Sequence, residues 1–596
     1  MDMYGFYTGQ VFDAYEYLGA HTTPDGVVFR TFAPNALKVS LILGNREIPM
    51  SQIYDGNFYE VTVSDLGQGD RYEYRVYQQD GNYVDHCDPY GFHMELRPNH
   101  KSIVYDLSQY KFHDAKWMRQ RTSMPDKPLN IYEMHLGSWR RKEDGTWYRY
   151  DELAPLLAEY LQKSGYNYVE FLPLGEHPVD ESWGYQSTGF FSPTSRYGKP
   201  TDLMKLVDVL HQNGIGVILD FVPVHFAVDS YGLSRYDGTA LYEYPHRDVG
   251  FSEWSSCNFI HARGEVRSFL QSAANYWLKE YHFDGLRIDA VSRIIYWQGD
   301  EKRGENGSAV DFIKVMNRGL KERNPGCMLI AEDSTNYPNI TLEVDKGGLG
   351  FDYKWDMGWM HDTLEFFQTP PAERPKHYHK LTFSMMYFRN ERYLLPFSHD
   401  EVVHGKATIL QKMNGQYPEK FPQARAMYLY MMVHPGKKLN FMGNEIGQLR
   451  EWDEKREQDW NMRTYPAHDS FYHFMVELNR LYLSHRALSS GDYRQDGFLW
   501  LDCHQEERCL YAIQRTYEQE KLIAVFNFSD HTQKEYAVEL PNGVKTVQPL
   551  LYSDWERFGG TTRDTDAICC IRNGQLVCTL KPFSALLIEI NDNDPN

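Results

Sequence analysis

FDGLRIDAV, residues 283–291, decides how this chain is to be read. Leu286, Ile288 and Ala290 have the texture of a buried β-strand, yet Arg287 and Asp289 stand two apart and so project from one face of it. Burying ions is costly unless they are paired and hydrogen-bonded. A charged pair inside a strand therefore needs either a structural partner or a chemical task.

Working outward, runs of similar texture recur on both sides: NIYEMHLG, NYVEFLPL, GVILDFV, MLIAED, FDYKWDM, YLLPFSHDE and KLNFMGNEI. Between them the period changes to that of a helix. Leu153, Leu156, Leu157, Tyr160 and Leu161 fall at i, i+3, i+4, i+7 and i+8, and Leu203, Leu206, Val207 and Leu210 repeat the phase. Val266, Phe269, Leu270 and Ala273 repeat it again. Apolar strands alternating with amphipathic helices signal a parallel sheet, and eight strands are the count that closes a (β/α)8 barrel. Residues 26–105 show shorter strands with period-2 alternation, as in YEYRVY, and turn clusters such as LGQGD and QQDGN, which reads as a small β-sandwich. DAKWMRQRTSMPDKPLN, residues 114–130, is rich in charge and proline without periodicity and is expected to be a linker. Beyond residue 488 strand-like runs return in LIAVFNFSD, YAVEL and FSALLIEI. The expectation is a multidomain α/β chain: an N-terminal β-sandwich over 1–115, a central (β/α)8 barrel over 116–487 and a C-terminal β-sandwich over 488–596, ending in the polar tail NDNDPN.

Composition narrows the partners. With 596 residues the chain exceeds one ordinary core, and its formal charge of -20 argues against nucleic acid, whose backbone demands clustered Lys and Arg. The eight cysteines show no CxxC spacing, so neither a zinc site nor a disulfide framework is indicated, and reduced thiols in a cytoplasm fit best. The N-terminal MDMYGFYTGQVFDAY lacks the basic and apolar regions of a signal peptide, and the longest apolar run, AMYLYMMV, is too short to span a bilayer. A cytoplasmic protein without a membrane partner is expected. Aromatic residues make up 15% of the chain, with 13 Trp and 44 Tyr, and sugar rings stack on such faces.

In a barrel of this kind the C-terminal strand ends line the active-site mouth. Asp220 follows GVIL, Asp289 follows GLRI, Glu332 follows MLIA, His399 and Asp400 follow PFS, and His225 lies just past the third strand. Any one of these alone is more often a cap or a loop ion pair; their joint placement is hard to explain as structure. Two carboxylates flanking a glycosidic bond are the minimum equipment for glycoside chemistry. Neither HExxH, nor a GxSxG elbow in a strand-turn-helix context, nor GxGxxG, nor GxxxxGK[ST] is present, so no metal and no nucleotide cofactor is expected.

The strings DFVPVH, GLRIDAV, LIAED and FSHDE resemble, in the same order, the four short signature regions of the α-amylase superfamily of glycoside hydrolases and transferases. Within it, YEMHLGSWRR, LPLGEHPVDESWGYQSTGFFSPTSRYG, GLSRYDGTALYEY, SHDEVVHGK and KLNFMGNEIGQLREW resemble the glycogen branching enzymes, and the likeness runs over nearly the whole chain. The resemblance implies Asp289 as nucleophile, Glu332 as general acid and base, and Asp400 as a third carboxylate gripping sugar hydroxyls. Arg287 would hold Asp289 ionised. His225 and His399 would donate hydrogen bonds to the sugar, Tyr185 would stack under it, and Asp220 would orient the site rather than react, its alternative being a strand-end salt bridge. Val224 stands before His225 where a glycine is common, and EDSTNYP replaces ESTAWP-like wording; both could alter acceptor or chain-length preference.

The implied reaction is a retaining double displacement that cuts an α-1,4 bond of a glucan chain and moves the oligosaccharide to a 6-hydroxyl, making an α-1,6 branch without cofactor. Glu332 must be protonated in the first step and ionised in the second, so a bell-shaped pH profile is expected. The residues alone do not separate transfer from hydrolysis, which differ in whether a sugar hydroxyl or water arrives second. An α-glucan hydrolase is the alternative, and a non-catalytic glucan-binding scaffold is disfavoured because Asp289, Glu332 and Asp400 are all present. The expected partner is an α-glucan polysaccharide such as glycogen or amylose-like chains, and a monomer is favoured.

Overall fold

The computed structural model describes residues 1–592; the last four residues of the polar tail lie outside it. Eight parallel strands close a barrel in chain order: β1 (Asn130–Met134), β2 (Tyr168–Phe171), β3 (Gly216–Phe221), β4 (Gly285–Ile288), β5 (Met328–Ala331), β6 (Tyr353–Trp355), β7 (Tyr393–Phe397) and β8 (Lys437–Phe441). Seven fall within the runs expected to supply them, and β8 begins one residue before KLNFMGNEI. The principal helices are α1 (Tyr150–Ser164), α2 (Pro200–Gln212), α3 (Gly264–Glu280), α4 (Gly307–Arg323), α5 (Met357–Gln368), α6 (Tyr417–Val433) and α7 (Pro466–Ser484). The alternation breaks once: between β5 and β6 the chain carries only the 3₁₀ turn Val344–Lys346.

The chain forms two compact units. The first holds residues 1–123, 135–159 and 170–352. Its N-terminal part is two antiparallel sheets, one of Gly19–Thr23, Gly26–Phe32, Phe58–Val63 and Ser51–Ile53, the other built around Lys38–Leu43 and Arg71–Tyr77. Alternation in Arg71–Tyr77 buries Tyr72, Tyr74 and Val76, and the Tyr72 ring lies 4.8 Å from that of Phe29 on the facing sheet. In β3, β4 and β5 every residue is buried, which is why they read as apolar runs. Gly285 lets β4 approach β5, since a Cβ there would sit 2.5 Å from the Met328 carbonyl oxygen.

The segment from Asp114, expected to be a linker, instead contains the helix Ala115–Gln120 and closes the entry side of these strands. His211, at the end of α2, is held at 2.7 Å by Asp114 on Nδ1 and at 2.7 Å by Asp284 on Nε2, while the Trp117 indole N–H donates to Asp284 at 2.8 Å. Charge-rich composition concealed this because it does not show that Asp114, among exposed Lys116 and Arg119, is buried. Burial alone would discharge His211, but Asp284 and Asp114 outweigh it and push its pKa up to about 9. A folded pKa above the unfolded value of about 6.5 gives stability that is complete below that value and lost as pH rises through the folded one. Wild-type thermal stability should therefore fall between pH 7 and 10, by on the order of 3 kcal/mol, more steeply than that of His211→Gln. Parallel slopes in thermal melts over that range would contradict the assignment.

The second unit holds residues 124–134, 160–169 and 353–596. β1 pairs with β8, β8 with β7 and β7 with β6. The C-terminal strands form a sheet of Phe498–Gln505, Leu510–Tyr517, Glu520–Asn527, Ser584–Asn591 and Thr546–Tyr552, and a second of Gln533–Glu539, Gln575–Leu580 and Cys569–Arg572. Helix α6, which contains AMYLYMMV, is buried on all sides from Gln423 to Val433. Its Arg425 donates to the Ser553 carbonyl at 2.6 Å, and Tyr430 lies 6.0 Å from Phe526. A fully buried ion network joins β8 to the terminal sheet: Asp492 accepts from Lys437 at 3.0 Å and from Arg515 at 2.7 Å. No helix among the described residues is long and apolar enough to cross a membrane.

Candidate active site

In the first unit the register of β3 against β4 sets Asp220 directly opposite Arg287. The guanidinium is 1% exposed; its Nη1 donates to both Asp220 oxygens at 2.9 Å and to Asp289 Oδ1 at 2.7 Å. Its Nη2 stands 3.8 Å from Glu332 Oε2. One buried cation thus touches three carboxylates from three consecutive strands. Burial works against its charge, but Asp220 and then Asp289 outweigh that and hold its pKa well above the usual guanidinium value. That is the partner the Arg287–Asp289 spacing required, and Asp220 shares it equally.

Just past β4 the backbone turns at Ala290, a non-glycine residue in the left-handed region with φ 44° and ψ 50°. Such a conformation costs about 1–3 kcal/mol and persists only where its surroundings impose it. Here it aims the Ala290 N–H at Glu332 Oε2, 2.7 Å away, while the Asp289 N–H donates to the Phe221 carbonyl at 3.0 Å and the Glu332 N–H to the Ile288 carbonyl at 3.1 Å. The hydrogen-bond ladder therefore continues beyond the strands and fixes the backbones of both acids. Their side chains remain partly open, 16% for Asp289 and 19% for Glu332, whereas that of Asp220 is wholly enclosed. The Tyr185 hydroxyl donates to Asp220 Oδ2, so the tyrosine is anchored on the same cluster.

His225 takes a different place. It sits in the short strand His225–Phe226, 3% exposed, with its ring 5.6 Å from that of Trp254. Burial, with some help from Arg293, pushes its pKa down to about 4, so the imidazole is neutral at physiological pH. Its Nδ1 has no hydrogen-bond partner among the described residues.

In the second unit, His399 and Asp400 follow β7. His399 is 1% exposed; its Nδ1 contacts Glu133 Oε1, its backbone N–H donates to Glu133 Oε2 at 3.2 Å, and its Nε2 lies 3.3 Å from Asp400 Oδ1. The Asp400 side chain is 48% exposed. Sequence reasoning missed Glu133, which orients His399 from β1; the signal was a lone carboxylate inside the strand-like NIYEM. It also missed Trp254, a 45% exposed ring in a polar loop that is backed by the Arg293 guanidinium at 4.5 Å.

Three family models match the chain: the N-terminal domain of alpha-1,4-glucan branching enzyme GlgB over residues 2–90, the alpha amylase catalytic domain over 252–521, and the alpha amylase C-terminal all-beta domain over 500–591. The 1,4-alpha-glucan branching enzyme GlgB of Bacillus subtilis (strain 168) is 42% identical over 575 residues, covering 94% of this chain and 91% of the relative. That of Fusobacterium nucleatum is 43% identical over 571 residues, covering 94% and 93%. Among solved structures, a putative alpha amylase from Salmonella typhimurium superposes with a TM-score of 0.74 at 19% identity, covering 96% of this chain and all of that one, a likeness of fold. Identity above 40% along nearly the full length of both partners settles the membership: this chain belongs to the GlgB family of 1,4-alpha-glucan branching enzymes.

Proposed function

We propose that the chain cuts α-1,4 bonds in linear glucan and transfers the freed segment to a 6-hydroxyl, with Asp289 as nucleophile and Glu332 as acid and then base. The carrying observation is the single Arg287 guanidinium that contacts Asp289 and approaches Glu332, which supports two carboxyls acting on one bond, as a retaining mechanism needs. Asp289 attacks the anomeric carbon while Glu332 gives its proton to the departing 4-oxygen, leaving a glycosyl ester on Asp289. Glu332, now ionised, takes the proton of an incoming 6-hydroxyl, whose oxygen displaces Asp289 and retains the α configuration. Membership of the branching-enzyme family favours this acceptor over water.

Asp220 serves in this reading as the second anchor of Arg287 and as the base plate for Tyr185, whose ring offers a face to the sugar. His225, neutral and with an unpartnered Nδ1, and His399, fixed by Glu133, are suited to hydrogen-bond sugar hydroxyls, and Asp400 supplies a further acceptor. All eight cysteines are free thiols, which supports a reducing cytoplasm. Trapping tests the covalent step: an acid quench during turnover of α-maltosyl fluoride, followed by peptide mass spectrometry, should place a maltosyl adduct on Asp289. An adduct on another side chain, or inverted anomers in the products by NMR, would refute the mechanism.

A further inference from the structure

The loop that follows Asp400 is held from both sides by side chains that the chemistry above does not use. Lys412, the last residue of the short helix Ile409–Lys412, is 6% exposed, and its ammonium donates to the carbonyls of Glu401 at 2.6 Å, Lys406 at 2.5 Å and Ala407 at 2.8 Å. All three N–H bonds are thus spent on one backbone loop. From the opposite side, Glu451 accepts the N–H of Gly405 at 3.1 Å and that of Ala407 at 2.7 Å. The Lys406 ammonium closes the loop on itself by donating to the Asp400 carbonyl at 2.8 Å.

The loop needs this restraint. His404 and Ala407 both have positive φ, 57° and 67°, which non-glycine residues adopt only when held there. A buried ammonium is itself costly: burial pushes the Lys412 pKa down to about 8, resisted by Glu401, with Lys406 adding to the lowering and Glu451 opposing it. An apolar side chain would fill the same volume without that cost, so the charge is retained for what it grips.

We propose that Lys412 is a positioning residue for glucan transfer: by pinning the 401–407 loop it fixes the turn that presents Asp400 beside His399. The inference rests on the reading of Asp400 as a substrate-gripping carboxylate. The test is a double-mutant cycle in kcat/KM for branching of amylose, with Lys412→Met, Lys412→Arg, Asp400→Asn and the Asp400→Asn/Lys412→Met pair, together with hydrogen exchange of the 399–407 peptide. Lys412→Met should lower kcat/KM by roughly 10–100-fold, as a misplacement of about 1 Å can, and should speed exchange in the loop. Lys412→Arg should recover most of both. In the Asp400→Asn background the Lys412→Met step should shrink to within about threefold, because a misplaced group that is already disabled costs little more.

Equal losses in both backgrounds, or a folded Lys412→Met enzyme of wild-type kcat/KM, would overturn the proposal. If Asp400→Asn alone retained wild-type kcat/KM, the role of Asp400 would fail instead, and the inference with it. Should Lys412→Met not fold, Glu451→Ala relaxes the loop from its partly exposed side and must show the same non-additivity with Asp400→Asn.

Discussion

Asp289→Asn is expected to leave a folded protein whose glucan transfer is reduced by at least on the order of 10⁴-fold, since the covalent step has no other nucleophile. The fold should survive because Arg287 keeps both of its 2.9 Å contacts to Asp220, so no buried charge is stranded. Activated substrates do not rescue it: α-maltosyl fluoride carries a better leaving group, but the missing attack is unchanged. Near-normal turnover in an amylose assay, with circular dichroism matching the wild type, would remove Asp289 from the role.

Glu332→Gln should lose about 10²–10⁴-fold on amylose, the usual contribution of a positioned acid and base. The amide keeps an oxygen to accept the Ala290 N–H now bonded at 2.7 Å, so the strained turn at Ala290 should hold. The distinguishing feature is the substrate. Fluoride departs without protonation, so the variant should still form the maltosyl ester on Asp289 from α-maltosyl fluoride, and the ester should accumulate because no base activates the acceptor. Equal loss on both substrates, with no accumulating ester, would mean that Glu332 is not the acid and base.

The barrel was legible because parallel strands buried on both faces read as apolar runs, and four of them, β3, β4, β5 and β7, carry acidic or imidazole groups at their C-terminal ends. What stayed hidden depends on contacts between segments distant in sequence. Arg287 and Asp289 announce themselves by their spacing, but Asp220 comes opposite Arg287 only through the register of β3 on β4. Glu133 meets His399 across 266 positions, so the lone carboxylate in NIYEM stands out without naming its partner. The 114–130 segment reads as linker because its Asp114 and Trp117 are satisfied by His211 and Asp284, partners that composition cannot reveal. Buried lysines are the hardest case. Lys412 and Lys437 look like surface charge until the carbonyls and carboxylate around them are seen.

The most direct measurement is incubation of the purified protein with amylose, following iodine absorbance, free reducing ends, and the reducing ends released afterwards by a debranching enzyme. Transfer predicts falling iodine colour, nearly constant free reducing ends, and a rising number released on debranching. Iodine colour that falls while free reducing ends rise in step, with none added by debranching, would make water the acceptor and contradict branching by this chain.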